Sequence, residues 1–187
     1  MLLRVDAPRA DKILDFDIEN RPLTYLGSDF TTAEITAIAC SFGSQEPMFC
    51  WLLGEDEPHE MLDYFVQMYN AADLVTGHYI RKHDLPMING ALAEYGMQPL
   101  RPKLTCDTCI DLKSIKGISK SQESLSEMLK VPAPKIAMTQ ADWRAANRLE
   151  DIQKTYVRVT GDVRQHQLLR LRLLDLGLLS EPKVWSG

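Results

Sequence analysis

The chain has 187 residues, and its 21 lysines and arginines against 26 aspartates and glutamates give a formal net charge of −5. Hydrophobic residues make up 45% and charged residues 25%, which is typical of a globular protein and excludes a disordered or fibrous chain. The length predicts one domain over residues 1–187, large enough to bury a core. The acidic balance excludes a protein that coats nucleic acid non-specifically, because such proteins carry an overall basic field.

The N-terminus and the cysteines indicate an intracellular, cytoplasmic protein, from a cell or from a virus in its host. Arg4, Asp6 and Arg9 interrupt the short apolar start, so we expect no secretory signal. No apolar run approaches the roughly 20 residues that span a bilayer, so we expect no membrane partner. Four cysteines are too few for a disulfide framework here. Cys106 and Cys109 form a C-x-x-C pair with no second pair, which disfavours structural zinc.

Hydrophobic periodicity predicts three strands, followed by alternating helices and strands. Apolar and acidic residues alternate over residues 12–18, which predicts a first strand ended by Asn20-Arg21-Pro22. The next two predicted strands, 34–42 and 48–53, flank a turn and suit a hairpin. The remaining predicted elements are a helix at 59–70, a strand at 73–77, a helix at 85–95, an edge strand at 104–108, and helices at 121–130, 141–146, 148–159 and 162–179. This order predicts an α/β fold with a mixed sheet, three antiparallel strands plus parallel strands, and helices on both faces.

Two acidic residues on the first predicted strand are candidate metal ligands. Asp17 and Glu19 are two residues apart, so both carboxylates leave the same face of the strand. Neighbouring carboxylates repel each other and lose hydration unless a cation lies between them, which favours Mg²⁺ or Mn²⁺. A solvated edge strand would explain the same tripeptide.

Two further acids lie where helices are predicted to begin. Asp84 follows the strand at 73–77, and Asp162 follows Gly161 at a break before the last predicted helix. An acid at either position could simply cap a helix or complement its dipole. The identification of these acids as metal ligands therefore depends on the order of the motifs and not on any one of them.

The chain contains D-x-E at Asp17 and Glu19, then G-H-x-I-x-x-x-D-x-P around Asp84, then G-D-V at Asp162. This pattern resembles the DEDD (DnaQ-like) 3′–5′ exonucleases, which have a ribonuclease-H-like fold. The resemblance implies that these four acids bind two divalent cations, Mg²⁺ or Mn²⁺, that take part in hydrolysing a terminal phosphodiester. Asp15 offers a competing D-x-D pair with Asp17 and ranks second.

The general base is where the chain departs from that family, which has Tyr four residues or His five residues before its last Asp. Here those positions hold Arg158 and Val157. Arginine stays protonated and valine has no proton to move, so neither is a base. Tyr156, six residues before Asp162, and His166, one helical turn after it, are the candidate catalytic replacements. With neither, activation of water would depend on the metal alone.

Basic and aromatic side chains near these motifs are candidate contacts for nucleic acid, with surface charge or ordinary packing as the alternative for each. Phe30, Tyr79 and Trp143 are candidates for stacking on bases, and Tyr79 also stands where the family commonly has Asn. The candidate basic contacts are Arg81, Lys82, Lys103, Lys113, Lys116, Lys120, Lys130 and Lys135.

The sequence thus predicts a free-standing, metal-dependent 3′–5′ exonuclease that acts on single-stranded DNA, in proofreading or end-trimming during DNA replication or repair. Short RNA is the second candidate substrate. A catalytically weak module of the same fold, binding nucleic acid or a separate polymerase or replication protein, is the alternative class. An unrelated α/β interaction domain is the third, and it would not bring Asp17 and Asp162 together.

Overall fold

The computed structural model describes residues 12–23, 31–43, 46–132 and 137–187. Phe30 and Lys135, two of the candidate nucleic-acid contacts, lie outside these ranges. The elements are β1 (Ile13–Pro22), β2 (Ala33–Ser41), β3 (Phe49–Leu52), α1 (Pro58–Ala71), β4 (Leu74–Gly77), α2 (Asp84–Glu94), β5 (Lys103–Asp107), α3 (Gln122–Met128), α4 (Gln140–Asn147), α5 (Ile152–Asp175) and β6 (Lys183–Trp185). Within these ranges, no helix has both the length and the apolar character needed to cross a membrane.

The strands form one mixed sheet in the order β3-β2-β1-β4-β5-β6. The first three strands are antiparallel, β4 and β5 run parallel to β1, and β6 is antiparallel to β5. The predicted α/β fold and mixed sheet are therefore confirmed. The prediction that 104–108 is an edge strand is wrong, because β6 pairs along β5, with Lys103 opposite Trp185. A strand of three residues is too short to show a period in the sequence.

Alternation along β1 gives the two faces of the sheet different neighbours. Leu14, Phe16 and Ile18 belong to the larger core, where Phe65 of α1 and Leu85 of α2 are also buried. The acidic positions of β1 point to the opposite face, which α5 covers. Helices thus lie on both faces, as predicted, and the side of β1 that carries the candidate ligands is the side against α5.

The last two helices predicted from the sequence are one continuous helix, α5, of 24 residues. The predicted break at Gly161 is wrong. Glycine costs about 1 kcal/mol inside a helix, but Val159 and Val163 on either side of it are fully buried against β2 and β3. This packing keeps the helix continuous through Gly161. Asp162 therefore lies in the middle of a helix and not at the beginning of one.

Candidate metal centre

Four acidic side chains from three elements line one cleft, and we call them the open cluster: Asp17 and Glu19 from β1, Asp84 from α2 and Asp162 from α5. One carboxylate oxygen each from Asp17, Glu19 and Asp162 lies within 4.8 Å of the others. Asp84 is only 4% exposed and lines the same cleft. The fold therefore brings the four sequence-predicted metal ligands into one place.

Local backbone geometry brings the acids of the open cluster together. β1 does not end at Asn20 as predicted but continues to Pro22, with a register shift between Glu19 and Asn20. Such bulges re-aim the side chains beside them. Asp84 is the first residue of α2, which follows β4, the parallel neighbour of β1. A carboxylate at a helix N-terminus is favoured by the helix dipole, so an acid is well placed at this position.

The electrostatics of the open cluster suit a divalent cation. Burial raises the pKa of Asp17 well above its usual value, and the charges of Asp84, Asp162 and Glu19 raise it further. These carboxylates therefore repel each other in a partly desolvated cleft, and a divalent cation would remove that repulsion. The donor set consists of carboxylate oxygens, the ligands that Mg²⁺ and Mn²⁺ prefer. The cluster could hold such an ion.

One cation of the protein already contacts this cluster. The Nε of Arg158 lies 2.8 Å from Oδ2 of Asp162 and 3.3 Å from Oε1 of Glu19. The guanidinium also lies over the ring of Trp143, 5.8 Å from its centroid, and the Arg158 side chain is only 10% exposed. The position where the resembled family has a tyrosine base therefore holds a buried charge bound to two of the candidate ligands.

The two candidate general bases do not line this cleft. His166 is 1% exposed on α5, and its Nε2 lies 3.0 Å from Oγ1 of Thr76 while its Nδ1 lies 3.3 Å from Oγ1 of Thr108. Tyr156 is 40% exposed and is not among the described residues that line the cleft. Because α5 is continuous, the helix fixes where His166 and Tyr156 point relative to Asp162. His166 points towards Thr76 of β4 and Thr108, which follows β5.

Asp15, the second-ranked candidate ligand, lies in a separate group that we call the closed cluster: Asp15, His166 and Arg170. Arg170 donates two hydrogen bonds to Asp15, at 2.9 and 3.0 Å, and Nε2 of His166 lies 3.3 Å from Oδ1 of Asp15. Burial opposes ionisation of Asp15, but the contacts with His166 and Arg170 outweigh it and lower its pKa. The charge of Asp15 is thus balanced by the protein itself.

A hydrogen-bond network fixes the segment between β4 and α2 that leads to Asp84. Asp107, at the end of β5, accepts hydrogen bonds from the backbone N–H groups of Tyr79 and Arg81, both at 3.0 Å. The guanidinium of Arg81 donates to both oxygens of Asp111 at 2.7 Å. Arg81, predicted to contact nucleic acid, instead holds this segment and is only 10% exposed.

Tyr79 combines a left-handed backbone, φ 67°, with a side chain that is 47% exposed. A bulky residue is uncommon in this region of φ and costs of order 1–2 kcal/mol there. The bond from its N–H to Asp107 helps to hold that conformation. Its ring therefore lies at the rim of the cleft on a hydrogen-bonded turn.

The remaining candidate contacts divide into two groups. Lys103 is half-buried and donates to the carbonyl oxygen of Ala72 at 2.6 Å, and Lys113 is exposed and donates to that of Gly177 at 2.7 Å, so both amines have a partner within the protein. Four other lysines have exposed side chains and are available for contact with a partner: Lys82, Lys116, Lys120 and Lys130.

The cleft is also lined by His78, His83 and Gln122, which the sequence did not single out as candidate site residues. The contact with Asp84, whose Oδ2 lies 3.6 Å from Nδ1 of His83, raises the pKa of His83. Gln122 of α3 donates to the backbone carbonyl of Asp162 at 3.0 Å. The two histidines stand inside the second motif and could have been noticed there, whereas nothing near Gln122 in the sequence relates it to Asp162.

Comparisons with known proteins show the fold. No family model matches the chain, and none of the curated proteins matches it. Among solved structures, it is similar to a family B DNA polymerase from the hyperthermophilic archaeon Pyrobaculum calidifontis, with a TM-score of 0.64 and 18% sequence identity. The match covers 89% of this chain and 25% of the polymerase, so this chain corresponds to about a quarter of that protein.

Proposed function

We propose that this chain is a metal-dependent 3′–5′ exonuclease that hydrolyses the terminal phosphodiester of single-stranded DNA. The observation that carries the proposal is the open cluster: carboxylates from β1, α2 and α5 meet in one cleft. The order of the three motifs and their resemblance to the DEDD exonucleases support it. The likeness of the fold to part of a DNA polymerase supports nucleic acid as the substrate, with proofreading or end-trimming as the setting.

The residues of the cleft have separate tasks in this proposal. The open cluster, Asp17, Glu19, Asp84 and Asp162, would hold divalent metal. When bound, a divalent metal supplies a nucleophile from water at neutral pH and stabilises charge on the phosphate and the leaving oxygen. Tyr79 presents its exposed ring at the rim, where a terminal base can stack on it.

The second candidate function is a catalytically weak module that binds nucleic acid or a polymerase. The observation in its favour is Arg158, which contacts Glu19 and Asp162 from the position expected to hold a base. The position of His166, buried between Asp15 and Thr108, favours it as well. Activity and binding are therefore measured on the same substrates.

The test is the shortening of a labelled single strand with Mg²⁺ or Mn²⁺, comparing the native chain with Asp17→Asn. We expect removal of this one charge to slow hydrolysis by more than about 100-fold, the scale on which loss of a single charge-stabilising group slows catalysis. Asp175→Asn is the matched control, because Asp175 is 70% exposed and pairs only on the surface with Arg172. Its rate should equal that of the native chain, and EDTA should abolish both rates.

The position of the label tests the polarity of hydrolysis, and the choice of strand tests whether the substrate is DNA or RNA. Stepwise loss from the 3′ end of a 5′-labelled strand is the expected polarity, and faster shortening of short RNA would change the substrate to RNA. Binding of the strand without any shortening would support the catalytically weak module. The absence of Asp17-dependent shortening with either metal and either substrate would contradict the enzyme proposal.

A further inference from the structure

We infer that Arg158 takes the place of one metal ion in the open cluster, so that the native protein binds one divalent cation tightly and a second only when Arg158 is displaced. This inference rests on the proposed function, because it concerns the same metal centre. Its basis is the position of the guanidinium, 2.8 Å from Asp162 and 3.3 Å from Glu19.

The formal charges of the open cluster show why Arg158 opposes a second ion. The four carboxylates of the open cluster together with the guanidinium of Arg158 have a formal charge of −3. One divalent cation reduces this to −1, whereas a second would leave the site with a charge of +1. If the position of Arg158 were neutral, two divalent cations would balance the four carboxylates. The arginine therefore penalises the second ion by direct repulsion at close range.

Arg158 is also firmly held in this position. Asp162 lies one helical turn away on α5, at the spacing where opposite charges pair. Trp143 of α4 lies under the guanidinium, which adds a cation–π contact in a partly desolvated place. A second metal ion must move the side chain to reach the oxygens that it occupies.

The test is calorimetric titration with Mn²⁺ of the native chain, Arg158→Gln and the control Arg148→Gln. Arg148 is the residue that follows α4. Its side chain is 67% exposed, and its pair with Glu150 is on the surface. We expect one tight site in the native chain and in Arg148→Gln, and two sites in Arg158→Gln. The second site should gain at least about tenfold in affinity when the arginine is removed.

Thermal unfolding supplies a readout that does not depend on activity. Mn²⁺ should raise the Tm of Arg158→Gln more than that of the native chain, because the metal replaces a lost cation as well as binding the acids. Arg158→Lys keeps the charge and should retain a single tight site. If Arg158→Gln does not fold, Arg158→Met replaces it as the neutral variant, because methionine keeps an apolar side chain against Trp143 and removes the charge.

The outcomes separate this inference from the function on which it rests. Two sites of equal affinity in the native chain, or the same stoichiometry with and without the arginine, would overturn the role of Arg158 and leave the metal centre intact. No binding of Mn²⁺ by any of the variants would overturn the metal centre itself, and this inference with it.

Discussion

The open and closed clusters lie side by side on β1, and each places an aspartate in an opposite electrostatic environment. Asp15 and Asp17 are two residues apart and point to the same face, against the same helix. Arg170 and His166 surround Asp15, which is fully buried and has a lowered pKa. Asp17 instead faces three carboxylates, and its pKa is raised.

The difference shows that the partner on α5, rather than the strand, decides what each acid does. A buried charge is tolerated when it is paired and hydrogen-bonded, and Asp15 meets that condition within the protein. Asp17 does not, because one arginine is shared among the acids around it. The closed cluster attaches α5 to the sheet. The open cluster keeps an excess of negative charge, which a bound metal ion can balance.

The largest expected effect is on stability and comes from the closed cluster. Asp15→Asn should lower the free energy of unfolding by about 3–5 kcal/mol, because it leaves the buried Arg170 without its charged partner. Urea denaturation followed by circular dichroism at pH 7 measures this. A loss of less than about 1 kcal/mol would show that the ion pair is not what attaches α5 to β1.

A smaller loss is expected from the histidine of the same cluster. His166→Gln should cost about 1–3 kcal/mol, because Thr76, Thr108 and Asp15 lose a buried partner. Its rate of hydrolysis at a temperature where the variant is folded should remain within about threefold of the native rate. Tyr156→Phe, a change on an exposed side chain, should alter neither quantity. A much larger loss of rate in either variant would restore that residue as the general base.

The smallest effect has the opposite sign and comes from the open cluster. In the absence of metal, Asp17→Asn should raise the free energy of unfolding by about 0.5–2 kcal/mol, since it removes a repelled charge at a functional site. The gain depends on pH in a definite direction. A raised pKa in the folded state means that ionised Asp17 destabilises the fold, and this cost appears as the pH rises above the unfolded value of about 3.9.

The advantage of Asp17→Asn over the native chain should therefore be larger at pH 7 than at pH 4. The acid of the closed cluster behaves the other way. The lowered pKa of Asp15 contributes stability that is present above its unfolded value and is lost as the pH falls through its folded value. Thermal unfolding in EDTA across this pH range distinguishes the two, and a destabilised Asp17→Asn at pH 7 would contradict the assignment of the open cluster.

The sequence contains enough to predict the strand and its two faces, because alternation with a period of two is visible in a single stretch from Leu14 to Glu19. It does not show which acid is balanced, since Arg170 and Arg158 are more than 130 residues away from Asp15 and Glu19 along the chain. The helix through Gly161 is missed for a similar reason. Burial of Val159 and Val163 against strands early in the chain outweighs the local preference for a break.

The claim that the open cluster, and not the closed one, is the metal centre is tested most directly by anomalous X-ray diffraction from crystals soaked in Mn²⁺. We expect an anomalous peak among the carboxylates of Asp17, Glu19 and Asp162, and none at Asp15. A peak at Asp15 would contradict the assignment of the metal centre. So would the absence of a peak among the open-cluster carboxylates at a Mn²⁺ concentration that saturates the protein in solution.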